Sequence, residues 1–218
     1  KNAFLFIKKN KGMTRFALPL RPLRRTGLRL ASTTPRPSPS APSTSYQKYS
    51  PESTELYNRL KKREGRGESM LQYISDTVAR ESPHFDPRSI AQAFHSLGFH
   101  VSRNPALRGD ERLLIAARAA TRSVVRGDRG WDAQPLAKLA WGLAKIRAPK
   151  PSTAALCGAI AERFPATAAT AAPQSLANAA WGFATARVAS PELFAAVADA
   201  ATRRDAAEFK TFEISMLL

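Results

Sequence analysis

A block built around tryptophan recurs along this chain and constrains its fold more than any other feature. Pro135-Leu-Ala-Lys-Leu-Ala-Trp141-Gly-Leu-Ala returns in the same register as Ser175-Leu-Ala-Asn-Ala-Ala-Trp181-Gly-Phe-Ala. A degenerate copy, Ser89-Ile-Ala-Gln-Ala-Phe-His95-Ser-Leu, comes first. It carries His95 in place of the tryptophan, and the step from His95 to Trp141 is wider than the step from Trp141 to Trp181. A fourth copy opens as Ile214-Ser-Met-Leu-Leu218, close to one period after the Leu176 that it matches. Self-similarity at a period of about 20–50 residues is the mark of a repeat architecture, in which each unit buries its apolar side against its neighbours. The fourth copy calls for tryptophan just after Leu218, so the array is expected to continue past that residue.

Helical periodicity runs through each copy. At 100° per residue, Leu136, Leu139, Ala140, Leu143 and Ile146 share one side of a helix, and Gln134, Lys138, Trp141 and Lys145 share the other. The next copy sets Leu176, Ala179, Ala180 and Phe183 against Gln174, Asn178, Trp181 and Thr185. The first sets Ile90, Phe94 and Leu97 against Arg88, Gln92, His95 and Phe99. The pattern predicts first-of-pair helices at 87–98, 133–146, 174–187 and from 211, with second-of-pair helices at 110–126, 152–164 and 191–204. Start signals support several of these: Asp86-Pro87, Ser152, and Ser190-Pro191-Glu192, where a capping hydroxyl, a proline and an early acid coincide. Leu71, Ile74 and Val78 predict a further helix over 69–81, and 55–66 reads as a frayed one. β-branched residues are sparse and Ala dominates 113–207, so no strand is expected. The expected fold is all-α: a right-handed solenoid of antiparallel helix pairs with a period of about 40 residues and a disordered N-terminal region. Three parts follow: 1–54 as leader and linker, 55–85 as a helical cap, and 86–218 as the array.

Net charge is +17, but its distribution matters more than its size. Residues 1–51 hold eleven Lys and Arg and no acid, so the remaining chain carries a surplus of only +6. The basic signal is therefore mostly an N-terminal property. From Met13, arginines alternate with Phe and Leu up to Arg29, and a Pro/Ser/Thr-rich run covers 32–54. Arg-rich, Ser-rich and acid-free is the composition of an organellar transit peptide. The expected destination is the mitochondrial matrix, with the plastid stroma as the alternative, and the expected cleavage lies between Arg29 and Tyr49. A disordered basic tail that touches nucleic acid is the other reading of the same composition. Residues 1–12, ahead of Met13, read as untranslated sequence or part of a longer leader. No apolar run is long enough for a secretory signal, and the longest uncharged span, 164–186, is too weakly apolar to cross a membrane. Cys157 is the one cysteine, so no intramolecular disulfide can form.

The polar stripe that carries the rings is the main site candidate: Arg88, Gln92 and His95; Gln134, Lys138, Trp141 and Lys145; Gln174, Asn178, Trp181 and Thr185. Flat rings beside amides and cations suit single-stranded RNA, because rings stack on bases and amides read base edges. The opposing reading makes each Trp a wedge between neighbouring helices, with Gly142 and Gly182 permitting close approach. Arg118, Arg122, Arg126 and Arg129 form a second stripe, suited to phosphates or simply to solvent. No zinc-protease helix, paired-cysteine motif, phosphate loop or nucleophile elbow is present, so no enzyme, metal or cofactor is expected.

The blocks around Trp141 and Trp181 resemble the repeat core of the octotricopeptide-repeat family, within the wider group of FAST leucine-rich and RAP-domain proteins. The resemblance covers about 86–218, departing at His95 and in the wider spacing from His95 to Trp141. No RAP domain is recognisable in these residues. What it implies is an array of antiparallel helix pairs that binds single-stranded organellar RNA and controls its stability, processing or translation. Other RNA-processing or ribosomal proteins are the implied partners. A protein–protein scaffold, as built by other helical arrays, is the alternative. Two lysines, one arginine and no acid in the stripes favour RNA.

Overall fold

The computed structural model describes residues 4–9, 12–17, 49, 51–62, 67–79, 85–148 and 150–218. These divide into two units, the strands within 4–17 and the run from Tyr49 to Leu217. In the first, strands β1 (Phe4–Lys9) and β2 (Gly12–Ala17) pair antiparallel, with Phe4 opposite Ala17 and Lys9 opposite Gly12. The sequence reading places no strand there, and two strands alone are marginal in water. Residues 18–48, with most of the leader and its expected cleavage window, lie outside the described residues.

Among its described residues the second unit is built of helices only. They are α1 (Pro51–Lys62), α2 (Gly67–Ala79), α3 (Pro87–Arg103), α4 (Glu111–Arg126), α5 (Ala133–Ile146), α6 (Lys150–Arg163), α7 (Pro165–Ala168), α8 (Pro173–Ala186), α9 (Pro191–Thr202) and α10 (Thr211–Leu217). Short 3-10 turns at Pro105–Gly109 and Ala206–Glu208 join some of them. α1 begins four residues ahead of the helix expected from 55, because Pro51 and Glu52 suit a first helical turn. α6 begins at Lys150, two residues ahead of the Ser152 signal.

Local chemistry explains where the helices start and stop. Asp86 caps α3 by accepting from the Ser89 amide at 2.7 Å. Asp110 and Asp132 cap α4 and α5 in the same way, through the amides of Arg112 and Gln134. At α9, Pro191 takes the first helical position, while the Ser190 hydroxyl makes no capping bond. α5 and α8 each end on an arginine in the left-handed region, Arg147 at φ 52° and Arg187 at φ 55°. Those two arginines are separated by the same step as Trp141 and Trp181, so the repeat extends through the helix stop. α3 runs for 17 residues against 14 for α5 and α8, and a 3-10 turn follows it. The longer helix and added turn account for the wider spacing from His95 to Trp141.

Packing sorts the helices into two rows. In one, α1 lies against α3, α3 against α5, α5 against α8 and α8 against α10. In the other, α2 lies against α4, α4 against α6, and α9 against α6 and α7. The expected apolar side of the first three copies is buried, with Phe94, Leu97, Leu136, Leu139, Leu176 and Phe183 at most 2 % exposed, whereas Ile214 of the fourth copy, matched to Leu176, is 38 % exposed. Leu71 and Ile74 of α2 join the same core. Burial of this kind supplies roughly 25 cal/mol per Å² of apolar area removed from water.

Candidate nucleic-acid interface

Three glycines determine how the rings of the first row meet. A Cβ on Gly142 would stand 2.5 Å from the Phe94 carbonyl oxygen and 2.6 Å from its carbon. One on Gly98 would meet the Gly142 oxygen at 3.2 Å, and one on Gly182 would meet the Ala140 carbonyl carbon at 2.8 Å. The backbones of α3, α5 and α8 are therefore in direct contact beside the ring positions, where only glycine fits. That contact draws the rings into a row. His95 stacks on Trp141 with centroids 4.6 Å apart and planes 28° from parallel. Trp181 follows at 6.2 Å and 33°. Phe99 closes against both His95 and Trp141, at 5.2 and 5.1 Å. All four rings are half-buried.

Each Trp therefore acts as a wedge and keeps an open edge as well. The row also limits what a base can do there. Trp141 lies between His95 on α3 and Trp181 on α8. Stacked aromatic planes need about 3.5 Å each, so a base placed between Trp141 and Trp181 needs about 7 Å where the structure offers 6.2 Å. A base stacked between these two ring faces does not fit this arrangement. Ring edges remain, together with the α10 side of Trp181, where no ring contact is made among the described residues.

Cations lie along the row. The Lys145 ammonium is 5.4 Å from the Trp141 centroid and 5.0 Å from that of Trp181. Lys138 donates to Gln92 Oε1 at 3.1 Å. The Arg88 guanidinium lies over the rings of Tyr49 and Tyr57, at 3.8 and 4.4 Å. Among the described residues none of these three cations is in an ion pair. The nearby acids have other duties: Asp86 accepts from Ser89 N and the Ser53 hydroxyl, and Asp132 caps α5. Charge held by rings and an amide keeps its field, which a carboxylate would cancel.

The expected site residues thus share one row of helices, with different exposures. Gln134 and Gln174 are exposed in the first turns of α5 and α8, and Asn178 and Thr185 are half-buried on α8. Gln92 departs from expectation. It is 4 % exposed, and its amide is spent on Lys138 and on Ser96, whose hydroxyl donates to Leu60 O at 2.6 Å. It positions Lys138 and joins α3 to α1, so it is not free to read a base. Tyr49 and Tyr57 belong to the site and were not singled out from sequence. No periodicity marks them, because their partner Arg88 stands on α3, with all of α2 between it and Tyr57 in the chain.

The second basic stripe lies on the other row. Arg118, Arg122, Arg126 and Arg129 are all exposed on or just after α4. Arg126 is paired with Asp128 at 2.8 Å, and that bond holds the Asp128 carboxyl below its ordinary value against the opposing effect of burial. Burial pushes the Cys157 thiol up to about 11. No three His, Cys, Asp or Glu among the described residues are grouped to hold a metal ion, and no described helix is long and apolar enough to cross a membrane. No protein-family model, curated protein or solved structure matches the chain.

Proposed function

We propose that this chain is an organellar RNA-binding helical-repeat protein that regulates RNA stability, processing or translation. In this reading α3/α4, α5/α6 and α8/α9 are antiparallel pairs that stack as a right-handed solenoid, and α3, α5 and α8 supply the binding face. The observation that carries it is the set of cations without carboxylates, Arg88, Lys138 and Lys145, beside the ring row. Single-stranded nucleic acid offers the matching chemistry: phosphates for the cations, and base edges and faces for the rings. The likeness of the Trp141 and Trp181 blocks to octotricopeptide repeats supports the same reading. The acid-free leader supports import into the mitochondrial matrix, or into the plastid stroma, and a reporter fused to 13–54 that stays diffuse in the cytosol would count against import.

RNA binding is measured by fluorescence anisotropy with a short labelled oligonucleotide, comparing Lys138→Ala/Lys145→Ala with Trp181→Ala and checking each fold by circular dichroism. The lysine pair should weaken binding without unfolding and lower the slope of log affinity on log salt by about 0.7 for each phosphate that is no longer neutralised. Unchanged binding in the lysine pair, with Trp181→Ala melting the helices, would remove the face from RNA recognition. A protein–protein scaffold then takes precedence, a reading already favoured by one observation: the rings spend much of their surface on one another.

A further inference from the structure

We propose that Arg88 and Lys138, gathered around Tyr57, form a single subsite for an internal phosphodiester group of the bound strand. This rests on the RNA reading above and extends the interface from the ring row onto α1. Three observations carry it. First, both cations lie over the same ring, with Arg88 Cζ 4.4 Å and Lys138 Nζ 5.8 Å from the Tyr57 centroid. The two charges are therefore no further apart than those distances combined, and an anion held near both lowers their mutual repulsion. Second, neither is in an ion pair among the described residues, and Lys138 donates to the Gln92 amide oxygen, which carries no charge. Third, Nε and Nη2 of the half-buried Arg88 are buried without a hydrogen-bond partner among the described residues. Buried guanidinium donors without acceptors are costly, and a native protein keeps them for a reason.

The chemistry of the partner follows from the donors. A planar fork and a point-like ammonium, both cationic, suit a tetrahedral oxyanion with several acceptor atoms. The tyrosines fix the fork: Tyr49 at 3.8 Å and Tyr57 at 4.4 Å leave the guanidinium little rotational freedom to lose on binding. Ser96 and Ser53 fasten α1 to α3 through Leu60 O and Asp86, so the ring that organises both cations is itself anchored. On this arrangement the strand runs from α1 across α3 and α5 to α8, with a phosphate at the α1 end and bases beside Trp141 and Trp181.

The test uses the full chain and a 5′-hydroxyl oligouridylate labelled at its other end, a probe whose only phosphates are internal. Affinity is read across about 50 to 200 mM salt for wild type, Arg88→Gln, Lys138→Gln and, as a control on the other row, Arg118→Gln. Arg88→Gln and Lys138→Gln should each weaken binding about three- to ten-fold and lower the salt slope by about 0.7, with Arg118→Gln unchanged. Lys138→Gln keeps the proposal testable if Arg88→Gln loosens α1. Wild-type binding with an unaltered slope in Lys138→Gln and in a folded Arg88→Gln overturns the subsite and leaves the RNA reading intact. An equal fall in slope for Arg118→Gln also overturns it, since charge anywhere would then suffice. No binding by wild type overturns both readings.

Discussion

The contact between α3 and α5 makes a prediction whose sign opposes ordinary helix propensity. Gly142→Ala should gain about 1 kcal/mol from propensity, because glycine is a poor helix former. The added Cβ, however, would lie 2.5 Å from Phe94 O and 2.6 Å from Phe94 C, and ordinary contact begins near 3.4 Å. The helices would have to part by about 0.9 Å, and since the obstructing atoms are backbone, no side chain can swing aside. Overpacking of this kind costs about 1–3 kcal/mol, and rigid obstruction puts it at the top of that range. The net loss is about 2 kcal/mol, or a fall in Tm of about 4–8 °C for a chain of this size. Gly158 on α6 is the matched control, because a Cβ there meets nothing within 4 Å. Gly158→Ala should gain the full propensity term and raise Tm by about 2–4 °C. Thermal unfolding followed by far-UV circular dichroism gives both shifts, and tryptophan fluorescence reports whether the 4.6 Å stack of His95 on Trp141 opens. If Gly142→Ala stabilises the chain as much as Gly158→Ala, the backbones do not touch and the account of the ring row fails with them.

Cys157 should react with a disulfide reagent far more slowly in the native protein than after denaturation, because burial leaves little thiolate at neutral pH; comparable rates would show that α6 opens readily. Its folded value is raised from 9.0 to about 11, so the unfolded chain loses this proton first, and the stability linked to the thiol falls as pH rises through that interval; Cys157→Ala should flatten the alkaline limb of a denaturation profile. Asp128 works in the opposite direction: the hydrogen bonds from Arg126 hold its folded value down, so its contribution is complete above the ordinary carboxylate range and is lost as pH falls through the lowered value. Asp128→Asn should remove part of the acid dependence of chemical denaturation, and an unchanged acid limb would show that the pair contributes nothing.

Much of the helical layout was legible because periodicity, caps and prolines agreed with one another. The repeat around Trp141 gave the span of α5, and Asp86-Pro87 gave the start of α3. The close approach was legible too, since Gly142 and Gly182 stand beside the tryptophans in the sequence itself. What escaped depends on distance in the chain. Gln92 reads as a polar-face residue, yet packing against α1 buries it, and only the fold supplies the Leu60 carbonyl that Ser96 reaches. Tyr49 and Tyr57 carry no repeat and no motif, and they join the site only because α1 lies across α3. Ring geometry was also beyond reach: the repeat period aligns Trp141 with Trp181 but does not set the 6.2 Å between them, which depends on how closely the helix backbones approach.

The two rows have a consequence for how this chain would assemble and open. Most of the contacts along a row join helices of successive copies, so they close loops of similar length. Closure entropy depends only on the logarithm of that length, and each such contact forms at nearly the same entropic cost. Assembly can then begin wherever the local match is best, which the glycine contact places at α3 and α5. Opening should be hardest where the backbones touch, at α3 and α5, as local unfolding takes the least-supported elements first. Amide exchange should therefore be slowest in α3 and α5, and an interface laid across α3, α5 and α8 would sit on the slowest-exchanging part of the row.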